Sequence, residues 1–212
     1  MKNIIFLAPP AAGKGTFSEY LISNFNYYHI SSGDLLREKA LKDQDLASKL
    51  KQGMLIDDKY VMNLVQEKLK AFDQNKPFVL DGIPRTINQV YLLENIIDFD
   101  NVKVIYIDVN KDILEKRVTG RLSCPKCGRS YNEYFDMFKP KNSNLCDDCL
   151  ISLIKRSDDN KDAFLKRYEQ YINLTKPILD YFDNKGMLVS IQNNSEYQTL
   201  AFKKLLEAIN DN

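Results

Sequence analysis

Tryptophan is absent from this 212-residue chain, and histidine occurs once, as His29. A lone histidine beside an apolar run reads as a structural residue rather than a general base, and no Ser/His/Asp or Cys/His constellation for nucleophilic catalysis is present. An excess of either charge is lacking too. Thirty Lys and Arg against twenty-nine Asp and Glu leave a formal net charge of +1, so no overall field draws the chain to nucleic acid or to an anionic membrane. No stretch reaches the ~18–20 consecutive apolar residues of a membrane helix. The N-terminal apolar run, Ile4 to Ala8, is shorter than the ~7–15 residues of a signal-peptide core, and Pro9-Pro10 breaks it; the chain is expected to be cytoplasmic. Glycine is scarce at eight residues, which marks each one as a place where the backbone needs freedom. Arginine is scarce as well, seven against 23 lysines. Because Arg grips phosphate bidentately while Lys acts as a point charge, the positions of so few arginines are informative.

An apolar fraction of 44% and a charged fraction of 28% suit a soluble globular protein, and the length suits one domain with insertions. Ile4–Leu7, Tyr28–Ser31, Phe78–Asp81, Val102–Asp108 and Met187–Ile191 read as strands buried on both faces. Between them Val61, Leu64, Val65, Leu69 and Phe72 recur at helical spacing, as do Phe164, Tyr168, Tyr171, Leu179 and Phe182, with a kink expected at Pro177. Such alternation predicts an α/β fold with a parallel sheet flanked by helices. From about Arg121 to Lys155 the periodicity vanishes and all four cysteines collect. Cys124-x₂-Cys127 and Cys146-x₂-Cys149 form two knuckles with eighteen residues between them, a spacing that fits a tetrahedral four-thiolate zinc site.

After the first apolar run comes Ala8-Pro9-Pro10-Ala11-Ala12-Gly13-Lys14-Gly15-Thr16, then an amphipathic pattern through Phe25. A strand, a tight loop of small residues, Gly-Lys and a helix start are the context of a phosphate-binding loop. Its amides and the helix N-terminus offer donors to an anion, Lys14 adds charge, and the Thr16 hydroxyl can reach Mg²⁺. Ala8 and Ala11 stand where such loops carry glycine. Ala is tolerated there only where φ stays negative.

With this loop, Ser31-Ser32-Gly33-Asp34-Leu35-Leu36-Arg37, Gln52-Gly53, Asp81-Gly82-Ile83-Pro84-Arg85-Thr86 with Gln89, Arg117-Val118-Thr119-Gly120-Arg121, the two knuckles, and Arg156-Ser157-Asp158-Asp159 with Arg167, the chain resembles the adenylate kinase family along essentially its whole length. The cysteines are similar to the zinc lid of long-form bacterial members. Six of the seven arginines fall in these segments; only Arg129 lies outside. Spacing places Arg117 and Arg121 on one helix face, and lets Arg156 and Arg167 share a face if their helix starts early enough.

The resemblance implies a P-loop nucleoside monophosphate kinase fold with a five-stranded parallel sheet. Residues 1–120 and 158–212 would form the core, 31–60 an AMP-binding segment and 121–157 a zinc-binding lid. It implies the reaction ATP + AMP ⇌ 2 ADP, with Mg²⁺ accompanying ATP, Zn²⁺ in a structural role, and a monomer as the working form. Ala11, Ala12, Gly13, Lys14, Gly15 and Thr16 would hold the ATP phosphates, with Arg117 and Asn193 at the adenine. Asn193 stands where members often have Gly, and Asn is the next-best residue for a left-handed backbone. Ser32, Arg37, Gly53, Ile56, Gly82, Arg85 and Gln89 would select AMP. Arg121, Arg156 and Arg167 would close around the transferring group, Asp81 and Thr16 would hold Mg²⁺ through water, and Asp158 and Asp159 would orient arginines. Two rivals remain at this stage. One is a kinase with another specificity, accepting CMP or UMP, or using GTP as donor. The other is a zinc-ribbon ATPase that binds nucleic acid. Against the latter, five basic residues within 121–154 face four acidic ones, too even a balance for a polyanion-binding patch.

Overall fold

The computed structural model describes residues 1–72, 75–194 and 199–210. In chain order, β1 (Asn3–Leu7) leads into α1 (Lys14–Phe25), and β2 (Tyr28–Ser31) into α2 (Ser32–Ala40), α3 (Gln44–Lys51) and α4 (Asp58–Ala71). Next come β3 (Phe78–Asp81) with α5 (Ile87–Glu94), and β4 (Val102–Asp108) with α6 (Lys111–Thr119). A hairpin of β5 (Arg121–Ser123) and β6 (Ser130–Asn132) follows, then α7 (Lys161–Gln170), α8 (Lys176–Asn184), β7 (Leu188–Gln192) and α9 (Thr199–Asn210).

The five strands expected from the apolar runs form one parallel sheet in the order β2-β3-β1-β4-β7. Central β1 explains why its run is continuous rather than alternating: both faces are covered. Ile5 and Leu7 pack with α4, α5 and α8 on one side, while Ile4 and Phe6 pack with α1, α6 and α9 on the other. The expectation of full burial fails at the edges, because β2 and β7 each have only one neighbour. Tyr28 and His29 are half-buried, and Ser190 of β7 is exposed.

The register levels the carboxyl ends of the strands, with Asp81 opposite Phe6 of β1 and Ser31 of β2. The loops that begin at Ala8, Ser32 and Gly82 therefore emerge side by side, where ligands of open parallel sheets bind. Most helix starts here are capped from within: Ser31 accepts from Asp34 N, Thr86 from Gln89 N and Asn160 from Ala163 N. Helix α1 begins differently. Its cap is Gly13 at φ 98°, with no side-chain cap and no acidic residue in the first turn, which leaves its amide end open to an anion.

Two local expectations are corrected. Arg117 and Arg121 do not share a helix, since α6 ends at Thr119 with Gly120 as its C-cap and Arg121 pairs with Asn132 in the β5–β6 hairpin. A Cβ at Gly120 would lie 2.4 Å from the Tyr134 ring and 2.5 Å from Asn132 Oδ1, so the close approach of the hairpin ends the helix there. Arg156 and Arg167 do not share one either, because Asn160 caps α7 four residues after Arg156. At the expected kink near Pro177 the helix is not regular: a π-helical turn, Tyr171–Thr175, stands between α7 and α8, and Pro177 lies in the first turn of α8, where its missing N–H takes a bond out of the regular ladder.

The hairpin belongs to a cysteine-bearing insertion with a small cluster of its own, Cys124, Tyr131, Cys146 and Leu153. Isolated bridges Ser123↔Ile154 and Leu145↔Ser152 close it. Among the described residues no helix is long and apolar enough to cross a membrane.

Candidate active site

The loop after β1 closes tightly on itself. Ala12 N donates to Pro9 O at 3.3 Å, and Lys14 Nζ turns back to Pro9 O at 3.3 Å and Ala8 O at 3.5 Å. Ala11 adopts φ 64°, contrary to the expectation of a negative φ at the alanines, and so carries the strain that glycine would avoid. Ala8 is not among the positive-φ residues. Burial pushes the Lys14 ammonium down to about 8; Asp81 opposes this, while Arg85, Arg167 and Arg121 reinforce it.

Asp81, at the carboxyl end of β3, is held below the usual carboxylate range although burial acts to raise it. His29, Lys14 and Arg85 supply the compensating interactions. His29 Nε2 lies 3.5 Å from Asp81 Oδ2, so the single histidine stands in the site rather than in remote structure. The β2–β3 register that aligns His29 with Val79 is what brings it there.

Around this centre the arginines gather. Arg85 Nε donates to Gly82 O at 2.7 Å, and Thr175 Oγ1 donates to Arg85 O at 2.9 Å. Burial pushes the Arg85 guanidinium down to about 10, and the neighbouring charge of Arg167 adds to the effect. Arg167 is lowered by burial and by Arg121, with Asp158 opposing at 3.1 Å. Arg156 is lowered by burial, then by Arg121 and Arg37. Arg37 bonds Asp34 at 2.6 Å and approaches Asp158 at 3.9 Å. Arg121 alone of this group is raised, because its two-point pair with the buried Asp159 outweighs desolvation. Asp158 and Asp159 thus act as holders of arginine side chains.

On the other side of β3, Ser32 Oγ donates to Gly82 O at 2.8 Å. Gly53, at φ 66°, packs where a Cβ would lie 2.9 Å from Ala163 O and 3.2 Å from Arg167 Cγ, and Ile56 is half-buried nearby in sequence. Gln89 is 2% exposed. Its Oε1 accepts from Arg85 N, and its Nε2 donates to Asp58 Oδ1, both at 2.7 Å. Asp58 also accepts from Thr86 and Asn88; sequence reasoning missed it because it reads as one more acidic residue in a helix start. Thr175 was missed as well, since a threonine two residues before a proline carries no signal of contact 90 residues away.

At the far end of the phosphate loop, Arg117 donates to Ala12 O at 3.3 Å and to Asn193 O at 3.0 Å. Asn193 is not left-handed as expected. It is 1% exposed and its Nδ2 donates to Ala12 O at 2.9 Å. Thr16 is half-buried in the first turn of α1.

The four cysteine sulfurs all lie within 4.8 Å of one another, and those of Cys127 and Cys146 are 3.7 Å apart. Zn–S bonds of about 2.3 Å in a tetrahedron set sulfurs roughly 3.8 Å apart, so the cluster fits a metal of that kind. The first knuckle is tied to the second by residues outside the motif. Tyr131 Oη donates to Cys146 Sγ at 3.5 Å and accepts from Asp147 N at 2.8 Å. Arg129, the one arginine outside the motif segments, bonds Asp148 at 2.6 Å and lies over the Tyr131 ring at 5.3 Å.

Comparison with known proteins agrees with this arrangement. The profile of the family described as Adenylate kinase matches residues 6–187. Curated adenylate kinases are similar over most of their length. That of Treponema denticola is 41% identical over 193 residues, covering 89% of this chain and 90% of its own. That of Thermotoga neapolitana is 38% identical over 196 residues, covering 89% and 88%. That of Kosmotoga olearia is 37% identical over 215 residues, covering 96% and 98%. With a parallel sheet, an uncapped helix behind a Gly-Lys loop and a cage of arginines at the strand ends, the chain belongs to the adenylate kinase family.

Proposed function

We propose a division of labour for the reaction this chain catalyses, ATP + AMP ⇌ 2 ADP. The observation that carries it is the gathering of Lys14, Arg85, Arg156 and Arg167 around the strand ends, each lowered first by burial and then by neighbouring arginines. Cations crowded together and partly desolvated are a standing cost unless a polyanion joins them. ATP with roughly four negative charges and AMP with roughly two match the set of Lys14, Arg37, Arg85, Arg121, Arg156 and Arg167.

In this reading the amides of Ala11 to Thr16, the N-terminus of α1 and Lys14 receive the ATP phosphates. Arg37 and Arg85 take the AMP phosphate, and Arg121, Arg156 and Arg167 surround the group in flight. An AMP phosphate oxygen is already anionic at neutral pH, so no general base is needed. The protein contributes in-line positioning and charge stabilisation. Ser32, Gly53, Ile56 and Gly82 shape the AMP side. Gln89, held by Arg85 N and Asp58, faces the base with its second amide hydrogen. Arg117 lies at the adenine, its two donors fixing the plane of its guanidinium.

The ionised Asp81 and the Thr16 hydroxyl are hard oxygen groups suited to Mg²⁺ through water; when bound with ATP, Mg²⁺ neutralises phosphate charge. Cys124, Cys127, Cys146 and Cys149 suit Zn²⁺. Four thiolates leave no open position, so the metal's role is to fold residues 121–157 as a lid. With the 31–60 segment, that lid closes over the core of 1–120 and 158–212 and excludes water. The protein acts as a cytoplasmic monomer without nucleic acid or membrane. A coupled assay of transfer from ATP to AMP, CMP, UMP and dTMP tests the specificity. Transfer to AMP exceeding the others by at least about tenfold is expected; transfer to another acceptor and none to AMP would overturn it.

A further inference from the structure

We propose that Asn193 is a positioning residue for the phosphate loop, a clamp whose side chain holds the loop in the conformation that Ala11 resists. Two residues of the loop are left-handed, Ala11 at φ 64° and Gly13 at φ 98°. Glycine occupies such a conformation without penalty, whereas the Cβ of alanine meets its own backbone there. Left to itself, the Ala11 segment favours relaxed states in which the amides no longer converge.

The peptide immediately after Ala11 is where the rest of the protein takes hold. Ala12 O accepts two bonds, from Asn193 Nδ2 at 2.9 Å and from Arg117 Nη1 at 3.3 Å. Asn193 is in turn fixed at both ends of its backbone, its N–H donating to Asp108 O at 2.9 Å and its carbonyl accepting from Arg117 Nη2 at 3.0 Å. A rigid path therefore runs from the end of β4 through Asn193 to the loop. Ala12 is fully buried and Asn193 is 1% exposed, so the bond between them does not compete with water.

One further fact points to the donor as the reason for this side chain. Asn193 Oδ1 is buried without a hydrogen-bond partner. An orphaned buried acceptor is unfavourable, so the donation to Ala12 O is the favourable polar contact this side chain makes here. The two features depend on each other. Strain at Ala11 lowers the population of the binding-competent loop, and the clamp raises it, which appears in the apparent affinity for the ligand that the loop receives. The inference rests on the reading that this loop takes the ATP phosphates.

A double-mutant cycle tests it, with the wild type, Asn193→Ala, Ala11→Gly and the double variant, each checked by far-UV circular dichroism and thermal unfolding. Removing one strained turn or one clamp bond changes an equilibrium by about five- to tenfold. Asn193→Ala is expected to raise KM for ATP by that factor while KM for AMP stays within about twofold, and Ala11→Gly is expected to bring KM for ATP in the double variant back to within about twofold. An equal effect of Asn193→Ala in both backgrounds would overturn the proposal. So would an unchanged KM for ATP, or a parallel rise in both KM values. Should Asn193→Ala unfold, Asn193→Leu fills the same space without the donor and carries the same cycle. Loss of turnover in Lys14→Ala checks the reading of the loop separately, so an additive cycle beside an inactive Lys14→Ala protein refutes the clamp alone.

Discussion

At the scale of single residues, Lys14 sets function against stability. Its ammonium is charged in a partly desolvated site among arginines, and its value falls from 10.5 to about 8. The unfolded chain therefore holds this proton more tightly between pH 8 and 10.5. Below pH 8 the full penalty of the buried charge is present; as pH rises through that window the penalty disappears and stability increases. Lys14→Met is expected to cut turnover by at least about a hundredfold. It should also raise the midpoint of thermal unfolding of the substrate-free protein at pH 7 by a few degrees, on the order of 2–6 °C. Scanning calorimetry beside the coupled assay reads both, and a lower midpoint would contradict the argument. The same value predicts that kcat/KM for ATP declines above about pH 8, while kcat holds to higher pH because bound phosphates restore the charge. A kcat/KM profile flat to pH 10 would count against it.

Between elements, the decisive contact is that of Gly53 with α7. Gly53 and Gly186 share nearly the same backbone, φ 66° and φ 67°, but a Cβ at Gly186 meets nothing within 4 Å while one at Gly53 would lie 2.9 Å from Ala163 O. Gly186→Ala is expected to cost about 1 kcal/mol through backbone strain alone. Gly53→Ala adds a collision that pushes the 31–60 segment off Arg167, with a total cost of roughly 2–4 kcal/mol. It should also raise KM for AMP, which Gly186→Ala leaves alone. Equal unfolding free energies for the two variants in urea would show that the contact carries nothing. The π turn after α7 belongs to this scale too, because it delivers Thr175 to Arg85 O. Pro177, two residues beyond the turn, marks in the sequence where the helix is irregular, but not which partner Thr175 meets.

For the molecule as a whole, the question is how an insertion with a four-residue core stays folded. Its buried cluster consists of Cys124, Tyr131, Cys146 and Leu153, too little apolar surface to offset the entropy of ordering some 35 residues. In the proposed reading metal binding supplies the difference, and the Arg129–Tyr131–Asp148 contacts add to it. Stripping the metal with a chelator is expected to make residues 121–157 sensitive to protease and to lower the unfolding midpoint by several degrees, about 5 °C or more. The parallel sheet should keep its circular dichroism. Removal of one equivalent of metal with no change in midpoint or cleavage would refute the structural role.

The strands were legible because a parallel sheet buries both faces, so its core runs stand out as unbroken apolar segments. The phosphate loop, the arginine-bearing segments and the cysteine knuckles were legible because their chemistry is carried by residue type at short spacing. Extrapolating helices from spacing failed at Arg121 and Arg156. There Gly120 ends α6 where the hairpin packs against it, and the Asn160 side chain caps α7 four residues beyond Arg156. Sequence could name Ala11 and Asn193 as departures but could not pair them. Only the tertiary structure lays the Asn193 side chain on the carbonyl of Ala12, 181 positions away and next to Ala11. It likewise sets His29 against Asp81 and Gln89 onto Asp58, since side-chain partners across strands and loops are fixed by register and packing, which depend on the whole chain at once.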